Sequence, residues 1–181
     1  MNKEELRDKI LQLVGQFGEE NLIKTPFKEG DVIPPSGKVI GASELKMMTE
    51  AVLDGWLTAG RFNEKFEKKL SEYLGIKHVI TTNSGSSANL LAFTALTSPK
   101  LGDKRIKPGD EVITVAAGFP TTVNPILQNN CVPVFVDVDI PTYNINTDLL
   151  EEAYSEKTKA VMIAHTLGNP YNLKVVEELE K

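Results

Sequence analysis

Cysteine is almost missing from this 181-residue chain. The single one, Cys131, excludes an internal disulfide and cannot by itself build a zinc or iron–sulfur site. An excess of positive charge is missing too: 20 Lys and Arg stand against 25 Asp and Glu, for a net charge of −5. Even the densest basic stretch, Lys100, Lys104, Arg105 and Lys107, carries Asp103 and Asp110, so neither a nucleic-acid nor a membrane surface is indicated. The opening MNKEELRDKI lacks an apolar signal core, and no run approaches about 20 apolar residues. A cytoplasmic protein without a membrane span is the expectation. What is present is ordinary globular composition, 41% hydrophobic and 25% charged. The length suits one domain with a substantial core, and no internal repeat or low-complexity tract interrupts it.

Two regions differ in pattern. Leu6, Ile10, Leu13, Val14 and Phe17 recur at helical spacing over residues 3–20, which predicts an opening amphipathic helix. The stretch 24–42, rich in Pro and Gly, reads as an extended connector, so residues 1–42 form a helix and connector ahead of a domain at 43–181. Within that domain Ser43 can cap a helix that Gly55 ends, and a further helix aligns Phe62, Phe66, Leu70 and Tyr73 before Gly75. From residue 77 strands and helices alternate. Strands are expected at 78–82, 111–116, 132–138 and 159–165, and helices at 86–96, 121–129, 147–154 and from 172 to 181. Nearly continuous Val and Ile strands joined by helices predict an α/β fold, a mainly parallel sheet with helices on both faces.

In such a sheet ligands sit at the carboxyl ends of the strands. The rim there is expected to hold 84–87, 117–120, 137–139 and 165–169. In TTNSGSSANLL a tight turn at Gly85 opens a helix whose free N–H groups and dipole, with the hydroxyls of Ser86 and Ser87, suit a phosphate; Ser84 or Ser86 acting only as a helix cap is the plain alternative. The motif is neither G-x-G-x-x-G nor a P-loop. Phe119, between Gly118 and Pro120, can stack on a flat cofactor or pack in the core, and the sequence favours the core. Asn124 reaches the same pocket or lies on the surface. His165 ends a strand, where it binds a ligand or, more commonly, serves as a hydrogen-bonded structural residue. Asp137 and Asp139 suit a turn better than a carboxylate pair, His78 suits solvent, and Trp56 packs in the core or walls the pocket.

SGSSANLLA, GFPTTVN, PVFVDVDIPTYNIN and AHTLGNP occur in an order and spacing that resembles the DegT/DnrJ/EryC/StrS sugar aminotransferase family, over about residues 45–181. The opening helix, IPPSGKVIG and DGWLTAGRFNEKFEKKL look like its CDP-4-keto-6-deoxy-D-glucose 3-dehydrase group, and extend the likeness end to end. The resemblance implies the amino-terminal part of a fold-type-I PLP-dependent transferase large domain. It implies pyridoxamine 5'-phosphate or pyridoxal 5'-phosphate as cofactor, a CDP-sugar substrate, a homodimer, a [2Fe–2S] cluster in the full-length protein, and a separate electron-donating reductase. The activity implied is C3 dehydration of a CDP-4-keto-6-deoxyhexose on the way to dideoxysugars of lipopolysaccharide.

Carried over by motif, Gly85, Ser86 and Ser87 hold the cofactor phosphate and Phe119 faces its ring, while Trp56, Asn124, His165 and Asn169 are pocket or substrate candidates. The acid that holds the pyridine nitrogen, the position that is lysine in aminotransferases and histidine in these dehydrases, and the cluster cysteines are all expected beyond Lys181. The chain is therefore expected to be a fragment, inactive alone. A PLP-dependent nucleotide-sugar aminotransferase and a non-catalytic α/β binding module stay open as alternatives.

Overall fold

The computed structural model describes residues 1–22, 25–34 and 37–179. Part of the connector expected over 24–42, and the last two residues of the helix expected to reach 181, lie outside them. The backbone forms two compact units, residues 1–80 and 81–181. The two helices read at the start of the 43–181 region therefore fall in the same compact unit as the opening helix.

In the first unit α1 spans Lys3–Asn21, α2 Ala42–Leu53 and α3 Arg61–Leu74. Asn2 starts α1 with a reciprocal cap: its side chain accepts from Glu5 N at 2.9 Å and its own N–H donates to Glu5 Oε2 at 3.0 Å. The face α1 turns to α2 is only in part the expected one. Leu6, Leu13 and Phe17 are exposed, while Gly15 and Gly18 are buried. The reason is close approach: a Cβ on Gly18 would stand 2.6 Å from Ala42 Cα. Small residues make the closest approach, while Ile10 and Val14 of the apolar stripe are half-buried. Gly41 rather than Ser43 is the N-cap of α2, and Glu44 reaches back to accept from Gly41 N at 2.7 Å. Gly75 ends α3 in the left-handed region at φ 66°, where a side chain would be strained. An ion network joins the three helices. Arg7 and Arg61 each place a guanidinium nitrogen 2.7 Å from Asp54, and Arg61 another 2.7 Å from Glu50.

In the second unit α4 spans Gly85–Ala95, β1 Glu111–Val115, α5 Pro120–Gln128, β2 Val132–Val136, α6 Leu150–Ala153, β3 Thr158–Val161 and α7 Leu173–Glu178. The sheet is parallel in the order β2-β1-β3, with Ile113 opposite Val134 and Val161. Residues 78–82 are not a strand. Among the described residues no sheet ladder includes them, and Ile80 is exposed; an apolar β-branched run becomes a strand only where a neighbouring strand takes up its N–H and C=O groups in a ladder.

β1 lies at the centre and is covered on both sides, as its uninterrupted apolar run predicts. Val112 packs with Phe93 of α4 and Ile126 of α5, while Ile113 and Val115 pack on the other face with Val136, Ile145 and Leu150 of α6. Val175 and Val176 of α7 join the second cluster. Period-two alternation thus sends successive residues into two separate cores. Because the strands run in one direction, their carboxyl ends share a rim, and the loops 116–119, 137–146 and 162–169 leave from it.

Candidate functional site

Ser84 enters α4 extended, and its Oγ accepts from Ser87 N at 3.2 Å, so the simple capping role is real. It leaves the amides of Gly85 and Ser86 without an acceptor among the described residues. Gly85 is the first helical residue, not a strained turn, and a Cβ built on it would meet nothing within 4 Å. The glycine thus leaves open space above two free N–H groups at the positive end of the helix.

α5 supplies the opposite wall. Ser86, Ser87 and Leu90 of α4 and Thr121, Asn124 and Gln128 of α5 line one cavity of about 160 Å³. Asn89 ties the walls together by donating from Nδ2 to Thr121 O at 3.2 Å. That volume is below the ~300 Å³ at which small-molecule sites begin, and suits a phosphate group rather than a whole cofactor. Hydroxyls, amides and backbone N–H groups form the donor set, and α4 has no acid in its first turn. The residues present therefore fit a phosphate monoester. Asn124 lines this cavity together with Ser86 and Ser87. Thr121, Gln128 and Asn89 were not singled out from the sequence. Asn89 was within reach of such reasoning, since it lies one helical turn beyond Ser86. A larger cavity, about 390 Å³, runs along β3 between Tyr154, Lys159 and Val176, and holds none of the rim residues.

Phe119 is not a core residue. It is 71% exposed at the N-cap of α5. Gly118 brings the backbone so close to β1 that a Cβ would stand 2.8 Å from Val115 Cγ2, and Pro120 starts the helix at once, which leaves the ring outside. An exposed phenyl two residues before Thr121 is available to a flat ligand.

His165 follows β3 at the rim. Its Nδ1 accepts from Tyr171 N at 3.3 Å and its ring stacks on Tyr171 with centroids 4.2 Å apart. Asn169 accepts at its O from Asn144 Nδ2 at 3.1 Å and donates from Nδ2 to Thr142 O at 3.3 Å. His165 is thus held from its own side of the rim, by Tyr171, and Asn169 by the loop after β2. Asp137 accepts from Val138 N at 2.8 Å, and Asp139 bonds through its backbone to Tyr143 and Asn144, the turn role expected of them. Trp56 lies in the first unit, 67% exposed, with Nε1 donating to Ala59 O at 2.9 Å; it packs in no core. His78 is exposed. Cys131 is buried, and burial raises its thiol pKa above the ordinary value. Among the described residues no helix is long and apolar enough to cross a membrane.

Residues 38–181 match the DegT/DnrJ/EryC1/StrS aminotransferase family. The chain is 66% identical over 180 residues to the lipopolysaccharide biosynthesis protein RfbH of Salmonella typhimurium, across 99% of this chain and 41% of that protein. It is 45% identical over 175 residues to a dTDP-4-dehydro-2,6-dideoxy-D-glucose 3-dehydratase of Saccharopolyspora spinosa, across 97% of this chain and 38% of the other. Among solved structures it superposes with a TM-score of 0.74 and 32% identity on GDP-4-keto-6-deoxymannose-3-dehydratase with a trapped PLP-glutamate geminal diamine, covering 81% of this chain and 37% of that one. The chain thus spans about two fifths of the length of the relatives it matches.

Proposed function

The chain belongs to the DegT/DnrJ/EryC1/StrS aminotransferase family, and from that premise we propose that it forms the phosphate-binding half of a pyridoxamine-phosphate-dependent sugar dehydratase. The observation that carries the proposal is the juxtaposition of two free N–H groups and two serine hydroxyls at the start of α4 with Thr121 and Asn124 of α5. In this reading Gly85, Ser86 and Ser87 receive the phosphate, and Phe119 lies against the pyridine ring. Asn124 borders the phosphate, while His165 and Asn169 face the substrate side. Trp56 is a pocket candidate by resemblance only.

When bound, the cofactor supplies an amine that condenses with a keto sugar and an electron sink that acidifies its own methylene. The residues of this chain anchor and orient. The helix dipole and the uncharged donors take the phosphate dianion without a lysine. The exposed ring of Phe119 offers an apolar wall that shields one face from water. The likeness to RfbH and to a sugar 3-dehydratase supports C3 dehydration of a nucleotide-linked 4-keto-6-deoxyhexose in lipopolysaccharide synthesis. A CDP carrier, the [2Fe–2S] cluster, the reductase, the homodimer and a cytoplasmic location rest on the resemblance alone. Any cluster would need ligands from outside these residues, since Cys131 is buried and single.

Affinity for such a cofactor is spread over phosphate, ring and ring nitrogen. The 181 residues contribute the first two contacts, so this chain by itself is expected to bind pyridoxamine phosphate weakly and not to dehydrate a CDP-4-keto sugar. Replacing Ser86 and Ser87 together by Ala should weaken that binding about tenfold or more, as hydrogen bonds to a charged group predict. Unchanged titration curves would sink the phosphate assignment. An aminotransferase is the second reading. Borohydride treatment of the full-length protein with pyridoxal phosphate separates the two: cofactor fixed covalently to protein would favour the aminotransferase, and its absence the dehydratase.

A further inference from the structure

Asn144 is 5% exposed, and both ends of its side chain are used. Oδ1 accepts from Thr166 N at 3.0 Å and Nδ2 donates to Asn169 O at 3.1 Å. Its own backbone is held in turn: Asn144 O accepts from Asp139 N at 2.9 Å, and Asn144 N donates to Thr142 Oγ1 at 3.3 Å. Asn169 Nδ2 returns a bond to Thr142 O at 3.3 Å. One buried amide therefore staples the loop after β2 to the loop after β3 through two side-chain hydrogen bonds, and the Asn169 amide adds a third. His165 immediately precedes the stapled Thr166, and Tyr171 follows the stapled Asn169 by two residues. Tyr171 N donates to His165 Nδ1, and the two rings stack. A neutral imidazole whose Nδ1 accepts must carry its proton on Nε2. The exposed ring is thus held with Nε2–H as its outward chemistry, a donor and not a base.

The geometry points to Asn144 as a positioning residue that, with Tyr171, fixes His165 in the Nε2–H form, where it donates a hydrogen bond to an oxygen of the sugar substrate. The substrate part rests on the dehydratase reading above; the positioning part does not. An asparagine suits the task because its amide, on a short side chain, offers a donor and an acceptor from a rigid fork to an N–H and a C=O that leave the same turn. Removing it leaves Thr166 N and Asn169 O without these partners in a part-buried junction.

The test is nitrogen NMR of the 15N-labelled chain near neutral pH. In the wild type the two His165 nitrogens should resolve as an unprotonated Nδ1 and a protonated Nε2. In Asn144→Ala they should converge toward a mixed tautomer, and hydrogen exchange at Thr166 N should speed up about tenfold, the equivalent of one lost hydrogen bond. In Asn144→Asp, which keeps the acceptor for Thr166 and loses the donor to Asn169, Thr166 should stay protected while the tautomer still shifts. The Asp variant carries the test alone if the Ala variant does not fold. A wild-type ring protonated at Nδ1, or a tautomer unmoved by both substitutions, would overturn the proposal. The two readings fail separately. If the double serine variant binds pyridoxamine phosphate as the wild type does, the function falls while the staple stands.

Discussion

Thr114 stands on the central strand, fully buried, and its hydroxyl has no hydrogen-bond partner. Among the described residues it is the sole buried side-chain polar atom left unpaired. Replacing it with the isosteric valine removes an unmet donor while keeping the volume. Thr114→Val is therefore expected to stabilise the chain by about 1 kcal/mol, and a denaturant midpoint moving the other way would show that the hydroxyl has a use. Gly18 argues the opposite case. The backbone of Ala42 occupies the position a Cβ would need, so Gly18→Ala should cost about 1–3 kcal/mol through forced separation of α1 and α2. Thermal melts compare the two directly.

At the scale of elements, the first unit depends on an ion network as well as on apolar contact. Asp54 takes charged hydrogen bonds from Arg61 and Arg7, which hold its carboxyl down at about 2 against an ordinary 3.8. Since the folded pKa is the lower one, this stabilisation is complete above pH 4 and is lost as the pH falls from about 4 to 2. Asp54→Asn should flatten that limb of the stability curve and leave the slope above pH 5 unchanged. An identical acid limb in melts of both proteins would show the network to be idle. Salt should weaken it in the wild type alone, because its members are partly exposed. α4 has its own signature. Ser84→Ala removes the bond to Ser87 N and should cost about 1 kcal/mol of helix stability; on the proposed phosphate reading, cofactor binding falls with it through loss of pre-organisation and not of a ligand contact.

For the whole molecule the decisive feature is the order β2-β1-β3, in which only the central strand has neighbours on both sides. Among the described residues no strand pairs with the outer edges of β2 and β3, and Val132 and Phe135 of β2 are half exposed. Leu6, Leu13 and Phe17 on α1 and Phe66 and Tyr73 on α3 add exposed apolar surface. Unpaired parallel edges and uncovered apolar faces recruit other chains. The isolated 181 residues are therefore expected to self-associate with rising concentration. A monodisperse monomer in light scattering at high concentration would contradict this.

The amino-acid sequence by itself determined the α/β class, the two-sided burial of β1 and the place where α4 starts, at the serines proposed to hold a phosphate. These follow from local patterns: continuous β-branched runs, and serines where a helix starts. The family was legible because it is carried by spaced motifs. Only the tertiary structure decided what depends on a neighbour. Residues 78–82 have the composition of a strand and no ladder to join. Phe119 has the composition of a core residue, yet Gly118 and Pro120 turn it outward against β1. Nothing in its own segment marks Asn144 until the loop after β3 is brought against it, twenty-two residues away at Thr166. Periodicity reports how a residue relates to its own element, whereas a hydrogen bond across the rim exists only once the parallel strands set two loops side by side.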